Sequence, residues 1–249
     1  MTRVGFLYPG SSAEDDYKAF EDLLGGDVEL PLVHTPLSDD LHVLERLLEA
    51  GGEASLVKGA QEIAAMDVEA TVWACTGGGF VYGWEGTRRQ VERVRQATGG
   101  PASSTSCAFV HALIRLRLPR VAIAATYPDE ISQRFVEFLS EAGVSVVSVA
   151  SHGIATAAEV AYLDPDEVLD FVISNDHPRA EAVLVPDTAL HSAHLIEPLE
   201  ALLGKTVLTA NQVSVWEGLR LAGRTEPRAT GPGMLFRAGS AAVTSLLPD

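Results

Sequence analysis

The chain has 249 residues, with 18 Lys+Arg against 34 Asp+Glu and a formal charge of −16. That length fits one large domain or two lobes of roughly 120 residues each. So anionic a surface repels a phosphate backbone, which excludes nucleic acid as a partner.

A hydrophobic fraction of 47% supplies ample core. No apolar run approaches the ~18 residues of a membrane span, so no membrane partner is expected. Two cysteines, Cys75 and Cys107, cannot form a disulfide framework and match no zinc spacing. The first residues run straight into a strand-like segment without an apolar leader, and the expectation is a cytoplasmic, reduced protein.

In chain order, short Val- and Ala-rich runs at 4–8, 28–34, 70–75, 121–125, 144–149, 182–186 and 206–209 read as strands. They lack in–out alternation, as strands buried on both faces do. Helical periodicity falls at 14–24, 39–50, 53–66, 84–98, 108–116, 129–142, 165–174, 196–203 and 212–221. Ser38-Asp39-Asp40 and Pro128-Asp129-Glu130 carry helix-start chemistry. Alternating strands and helices predict an α/β fold with parallel sheets.

The two halves echo each other. Tyr8-Pro9 and Tyr127-Pro128 each end an early strand. Trp73-Ala74-Cys75-Thr76 parallels Val185-Pro186-Asp187-Thr188, and Leu113–Leu116 parallels Gly218–Leu221. The spacing fits a duplication. It predicts two pseudo-symmetric lobes, each with a mostly parallel sheet flanked by helices, with residues 1–117 plus 222–249 forming the first and 118–221 the second. The tail from Thr225 is expected to return to the first lobe. Ligands bind at the carboxyl ends of parallel strands, so the active site is expected in the cleft between the lobes, with Cys75 on one wall and Asp187 on the other.

Cys75 precedes Thr76-Gly77-Gly78-Gly79. A tight glycine turn there would aim backbone N–H groups, Gly77 included, at an anion and lower the thiol pKa; the cysteine could equally fill the end of the sheet. Asp187 either caps the following helix or faces the cleft as a general acid. Thr126 and Tyr127 offer hydroxyls for a carboxylate, or Tyr127 packs beside Pro128. Tyr8, Ser11 and Ser12 sit at the matching place, where the serines also suit capping against Glu14. His191 and His194, three apart, could join Asp187 in a metal site, although no HExxH accompanies them. Cys107 reads as core, and His152 as a residue within reach of the cleft. Nucleotide-binding glycine motifs and GxSxG are missing from the sequence.

These segments resemble the aspartate/glutamate racemase superfamily, most closely its maleate isomerase and arylmalonate decarboxylase branch. The resemblance lies in 4–14, Trp73–Gly78, Ala125–Pro128, 183–190 and 209–223 with Asn211-Gln212, Trp216 and Leu219-Arg220. It implies a small carboxylate held between two lobes, without cofactor or metal. Cys75 takes the place of the thiol that adds to the double bond in maleate isomerases. Asp187 stands where the second-lobe cysteine acts as acid. The decarboxylase has the reverse arrangement, a second-lobe cysteine and a first-lobe glycine. Tyr127 matches a tyrosine that hydrogen-bonds the substrate carboxylate, and Thr76 and Thr188 match the small residues beside the two catalytic positions. Ser12, and the segment His152–Thr156, stand where maleate isomerases place asparagines.

The expected activity is a cofactor-independent isomerase of a small unsaturated or dicarboxylic acid. Cys75 is its nucleophile or base and Asp187 its general acid, with Ser12, Thr76, Gly77, Tyr127 and Thr188 holding the substrate. A racemase or decarboxylase working through an enediolate, a carboxylate-binding protein without turnover, and a hydrolase with a metal at Asp187 are the competing readings. Self-association into a homo-oligomer stays open.

Overall fold

The computed structural model describes residues 1–226 and 232–238. Its first half runs β1 (Thr2–Pro9), α1 (Asp16–Leu23), β2 (Val28–Glu29), β3 (Leu32–Thr35), α2 (Leu44–Ala50), α3 (Glu53–Ala64), β4 (Ala70–Trp73), α4 (Gly77–Phe80), α5 (Gly83–Thr98), β5 (Ala102–Ser104) and α6 (Thr105–Leu116). Strand β1 pairs in parallel with β2 and β3 on one side and with β4 on the other; β5 pairs with β4 at the edge. Apolar side chains on both faces explain the absence of alternation: every residue of β4 is buried. The run at 28–34 is broken at Leu30-Pro31, because proline has no N–H for the ladder. Its carbonyl still accepts the Phe6 N–H at 2.9 Å. Strand β5 is three residues long, too short for a periodic signal.

The second half repeats the plan with β6 (Arg120–Ala125), α7 (Asp129–Glu141), β7 (Ser145–Ser151), α8 (Ala157–Ala161), α9 (Pro165–Ser174), β8 (Ala182–Val185), α10 (Ile196–Leu203), β9 (Thr206–Thr209), α11 (Ala210–Leu221) and α12 (Met234–Arg237). Its sheet has the order β7-β6-β8-β9, all parallel. The first sheet has the same order once β2 and β3 are taken as one interrupted strand. Cys75 follows the strand next to β1, and Asp187 follows the strand next to β6, so the duplicated order puts the two side chains at equivalent strand ends.

Helices α6 and α11 follow the edge strands of their sheets and pack on each other between the lobes. Helix α11, expected with the second lobe, lies across β1, β4 and β5 of the first. Gly218 makes that approach possible, since a Cβ there would collide with Val4 and lie 3.3 Å from Val72. The described part of the tail departs from the expected return to the first lobe. Helix α12 packs on β9, with Arg237 bonded to Glu200 at 2.8 Å, although the Ala238 carbonyl also accepts from Arg115 at 2.6 Å. Residues 227–231 and 239–249, which the expected lobe boundary also covers, lie outside the described residues. Among the described residues, no helix is long and apolar enough to cross a membrane.

The largest departure from the sequence reading is the segment before α2. Helix is expected from residue 39, yet α2 begins at Leu44. Residues 40–42 instead run against the second lobe: His42 N–H donates to Ala155 O at 2.7 Å, Ala157 N–H to Asp40 O at 3.0 Å, and Leu41 bridges Thr156. Asp40 Oδ2 accepts the Ala158 N–H at 2.8 Å. Asp40, in the segment that resembles a helix cap, thus ties the two lobes together, while Asp39 stays local with the Leu41 N–H and Arg46.

Candidate active site

Strand β4 ends at Trp73, and Ala74-Cys75-Thr76 carries the chain into α4. The glycines after Cys75 form this short helix, with none of Gly77, Gly78 or Gly79 at positive φ. They are there for close packing. A Cβ on Gly78 would stand 2.7 Å from the Trp73 ring and 3.2 Å from Cys75 Sγ, and one on Gly77 2.8 Å from Leu47. Ser106 crowds Gly79 and donates to the Thr76 carbonyl at 2.8 Å. Gly78 N–H donates to Cys75 Sγ at 3.3 Å. That single donor does not lower the thiol as expected. Burial dominates, aided by the nearby Asp187 carboxylate, and pushes the Cys75 thiol up to about 12.

On the facing wall, Asp187 is 3% exposed. Its Oδ1 accepts the Ala189 N–H at 2.9 Å, and its Oδ2 accepts the Thr126 hydroxyl. Capping of the following turn and orientation toward the cavity therefore coexist. Tyr127 lines the same space with its ring, while its hydroxyl donates to Pro186 O at 2.6 Å. Burial and then the Asp187 charge keep that phenol protonated. Thr188 also faces the cavity, and its carbonyl accepts from Tyr8 Oη at 2.9 Å. Ser12 reaches the rim from the first lobe, sharing a 2.6 Å hydrogen bond with Tyr8 Oη.

These groups enclose a cavity of about 50 Å³, room for a few waters or one small acid. Cys75, Gly77, Ser12, Tyr127, Asp187 and Thr188 line it together. Thr76, expected beside them, is fully buried behind the wall. One further lining residue went unread in the sequence. His42 is 5% exposed, with its ring edge-on to Tyr127 at 4.9 Å between centroids and its Nε2 3.9 Å from Asp187 Oδ2. No local pattern announces it, because its place depends on the pairing of 40–42 with the other lobe.

The remaining candidates lie elsewhere. His191 bonds Asp15 on α1 at 2.7 Å. Among the described residues, no three His, Cys, Asp or Glu side chains are grouped to hold a metal ion. His152 turns from the cleft to pack on Phe171 at 4.8 Å, with Nε2 3.5 Å from Glu167. Cys107, in the first turn of α6, is buried in the core.

A family model for arylmalonate decarboxylase matches residues 50–236. The chain belongs to the arylmalonate decarboxylase family. It is 29% identical over 145 residues to arylmalonate decarboxylase of Bordetella bronchiseptica, a match spanning 57% of this chain and 60% of that one. It is 26% identical over 183 residues to maleate isomerase of Pseudomonas putida, spanning 71% and 73%. The fold superposes on a mutant of Nocardia farcinica maleate cis-trans isomerase carrying a covalently bound succinylcysteine intermediate. The TM-score is 0.85 at 24% identity, over 96% of this chain and 99% of that one.

Proposed function

We propose that this member of the family is an enzyme that isomerises a small unsaturated dicarboxylic acid without a cofactor, with maleate as the first substrate to test. The observation that carries the reading is the placement of Cys75 and Asp187, from different lobes, on the walls of one small cavity. A planar alkene between them presents one face to a nucleophile and the other to an acid. Cys75 Sγ adds to one alkene carbon, and the π pair moves to the other carbon and its carboxylate. A proton from the Asp187 side completes a saturated thioether, rotation about the new single bond follows, and reversal releases the trans acid. The covalent succinylcysteine of the Nocardia relative lends this sequence its chemical precedent.

The arrangement of thiols favours isomerisation over decarboxylation. The family resemblance puts the decarboxylase thiol in the second lobe, where this chain carries Asp187. Hydroxyl and backbone donors at Ser12, Gly77, Tyr127 and Thr188 surround the space a carboxylate would occupy. For Tyr127 to serve as a donor, its bond to Pro186 O must give way to the substrate. Proton NMR of the protein with maleate tests the reading. The expected result is loss of the cis vinyl signal and growth of the trans one. Unchanged maleate together with arylacetate formation from a phenylmalonate would move the assignment to decarboxylation.

A further inference from the structure

We infer that His42 is the proton-transfer group of this site, taking the proton that Cys75 must lose before it attacks and returning it to the substrate carbon in partnership with Asp187. The inference rests on the covalent addition proposed above and names the base which that step lacks.

His42 belongs to a first-lobe loop, but its backbone and ring are both gripped by the second lobe. Its N–H donates to Ala155 O, and its Nδ1 lies 3.1 Å from Ile154 O. A carbonyl can only accept, so Nδ1 carries the hydrogen. In the neutral ring Nε2 then presents a lone pair. The residue lines the same cavity as Cys75, and that nitrogen sits 3.9 Å from Asp187 Oδ2. It is too far for a hydrogen bond in the resting site, yet close enough to stabilise an imidazolium once one forms.

The other titratable groups facing this space are already engaged. Both Asp187 oxygens accept hydrogen bonds, and the Tyr127 hydroxyl donates to a carbonyl. Arg46 is paired with Asp39 at 2.8 Å and Glu49 at 2.9 Å, and Asp40 accepts the Ala158 N–H. Among the described residues lining the cavity, His42 is the one imidazole, and its Nε2 approaches Asp187 Oδ2 to 3.9 Å. The Cys75 thiol is neutral at rest, so a base within reach is a chemical requirement of the addition.

The proton inventory closes without an external reagent. His42 Nε2 takes the Sγ proton first, and the thiolate electron pair then forms the C–S bond. The alkene π pair becomes a carbanion delocalised into the adjacent carboxylate. The imidazolium, its charge offset by Asp187, then gives the same proton to that carbon. Elimination reverses each step, and nothing is oxidised or reduced.

The test reads the thiol directly, in the full chain and without substrate. Cys75 alkylation by iodoacetamide is followed by the mass of its peptide, in wild type and His42→Asn. Asparagine keeps a donor for Ile154 O and cannot carry a proton. The wild-type rate should rise and then level off well before the thiol itself ionises, because the neutral imidazole rather than free thiolate carries the reaction. In the variant the rate should keep rising about tenfold per pH unit with the thiolate fraction, without levelling off, and should be at least about tenfold lower near neutral pH. Equal rates and matching profiles in the two proteins overturn the inference, as does a wild-type profile that never levels off. Should His42→Asn not fold by circular dichroism, His42→Gln and the wild-type profile decide by the same criteria. Absence of maleate turnover would sink the isomerase reading while leaving this result readable; maleate turnover unchanged in the variant would sink only the role of His42.

Discussion

Cys75 and Tyr127 show how burial decides the behaviour of single groups here. The sequence invites a thiol activated by glycine N–H donors, but one donor at 3.3 Å is outweighed by the loss of solvent, and the pKa rises to about 12. Burial was not legible in the residues after Cys75, because its depth depends on Trp73, Leu47 and the facing lobe. The positions of Cys75 and Asp187 were legible, since strand ends flanked by small residues are local signals. His42 was hidden inside an apparent helix. For Tyr127, substitution by Phe keeps the ring and leaves Pro186 O without its donor. The expected cost is about 1–3 kcal/mol of stability, read from the urea midpoint at constant m-value. An unchanged midpoint would mean that the hydroxyl's bond contributes nothing and that the group is free for substrate.

Between elements, the hinge of the architecture is a buried carboxylate rather than an apolar contact. Asp16 on α1 accepts from Ser192 N–H and Ala193 N–H at 3.0 Å each, from Ser192 Oγ at 3.2 Å and from Asn211 Nδ2 at 3.0 Å. It thereby fixes the loop that follows Asp187 and the start of α11 against the first lobe. Asp16→Ala strands the Ser192 and Ala193 N–H groups, while Ser192 Oγ keeps Thr209 and Asn211 Nδ2 keeps the Thr188 and Leu190 carbonyls. A loss of about 3 kcal/mol is expected in denaturant unfolding, with lower turnover because the Asp187 wall loses its anchor. A variant as stable as wild type would show that the loop is held by packing alone. Helices α9 and α10 fall where periodicity puts them, because each carries its own amphipathic stripe and end signals. The loop ahead of α2 does not, because its partner is the loop after β7, more than a hundred residues away. Local chemistry cannot encode that pairing, and it is what brings His42 to the cavity.

For the molecule as a whole, the repeat visible in the sequence becomes two sheets of equal strand order facing across one cavity, with α6 and α11 packed between them. That interior contains Glu217, fully buried, with His111 Nδ1 at 2.7 Å and Arg220 Nε at 2.7 Å. Burial alone would raise this carboxyl, but His111 and Arg220 together reverse that and hold it far below the ordinary value of 4.5. A folded-state value below the unfolded one gives stability that is fully present above pH 4.5 and drains away as the pH falls. Glu217→Gln breaks the cluster and should cost about 3–5 kcal/mol at neutral pH. The gap from wild type should narrow in acid, measured as denaturant midpoints across pH; a gap independent of pH would contradict the linkage.

The central claim is a covalent bond between Cys75 and the substrate. The most direct measurement is the intact mass of the protein quenched in acid during turnover of maleate, followed by peptide mapping. The account predicts a mass increase of one dicarboxylic acid, located on Cys75 and missing from Cys75→Ser, which should also be inactive. Turnover that proceeds with no adduct on Cys75, or that survives in Cys75→Ser, would contradict it.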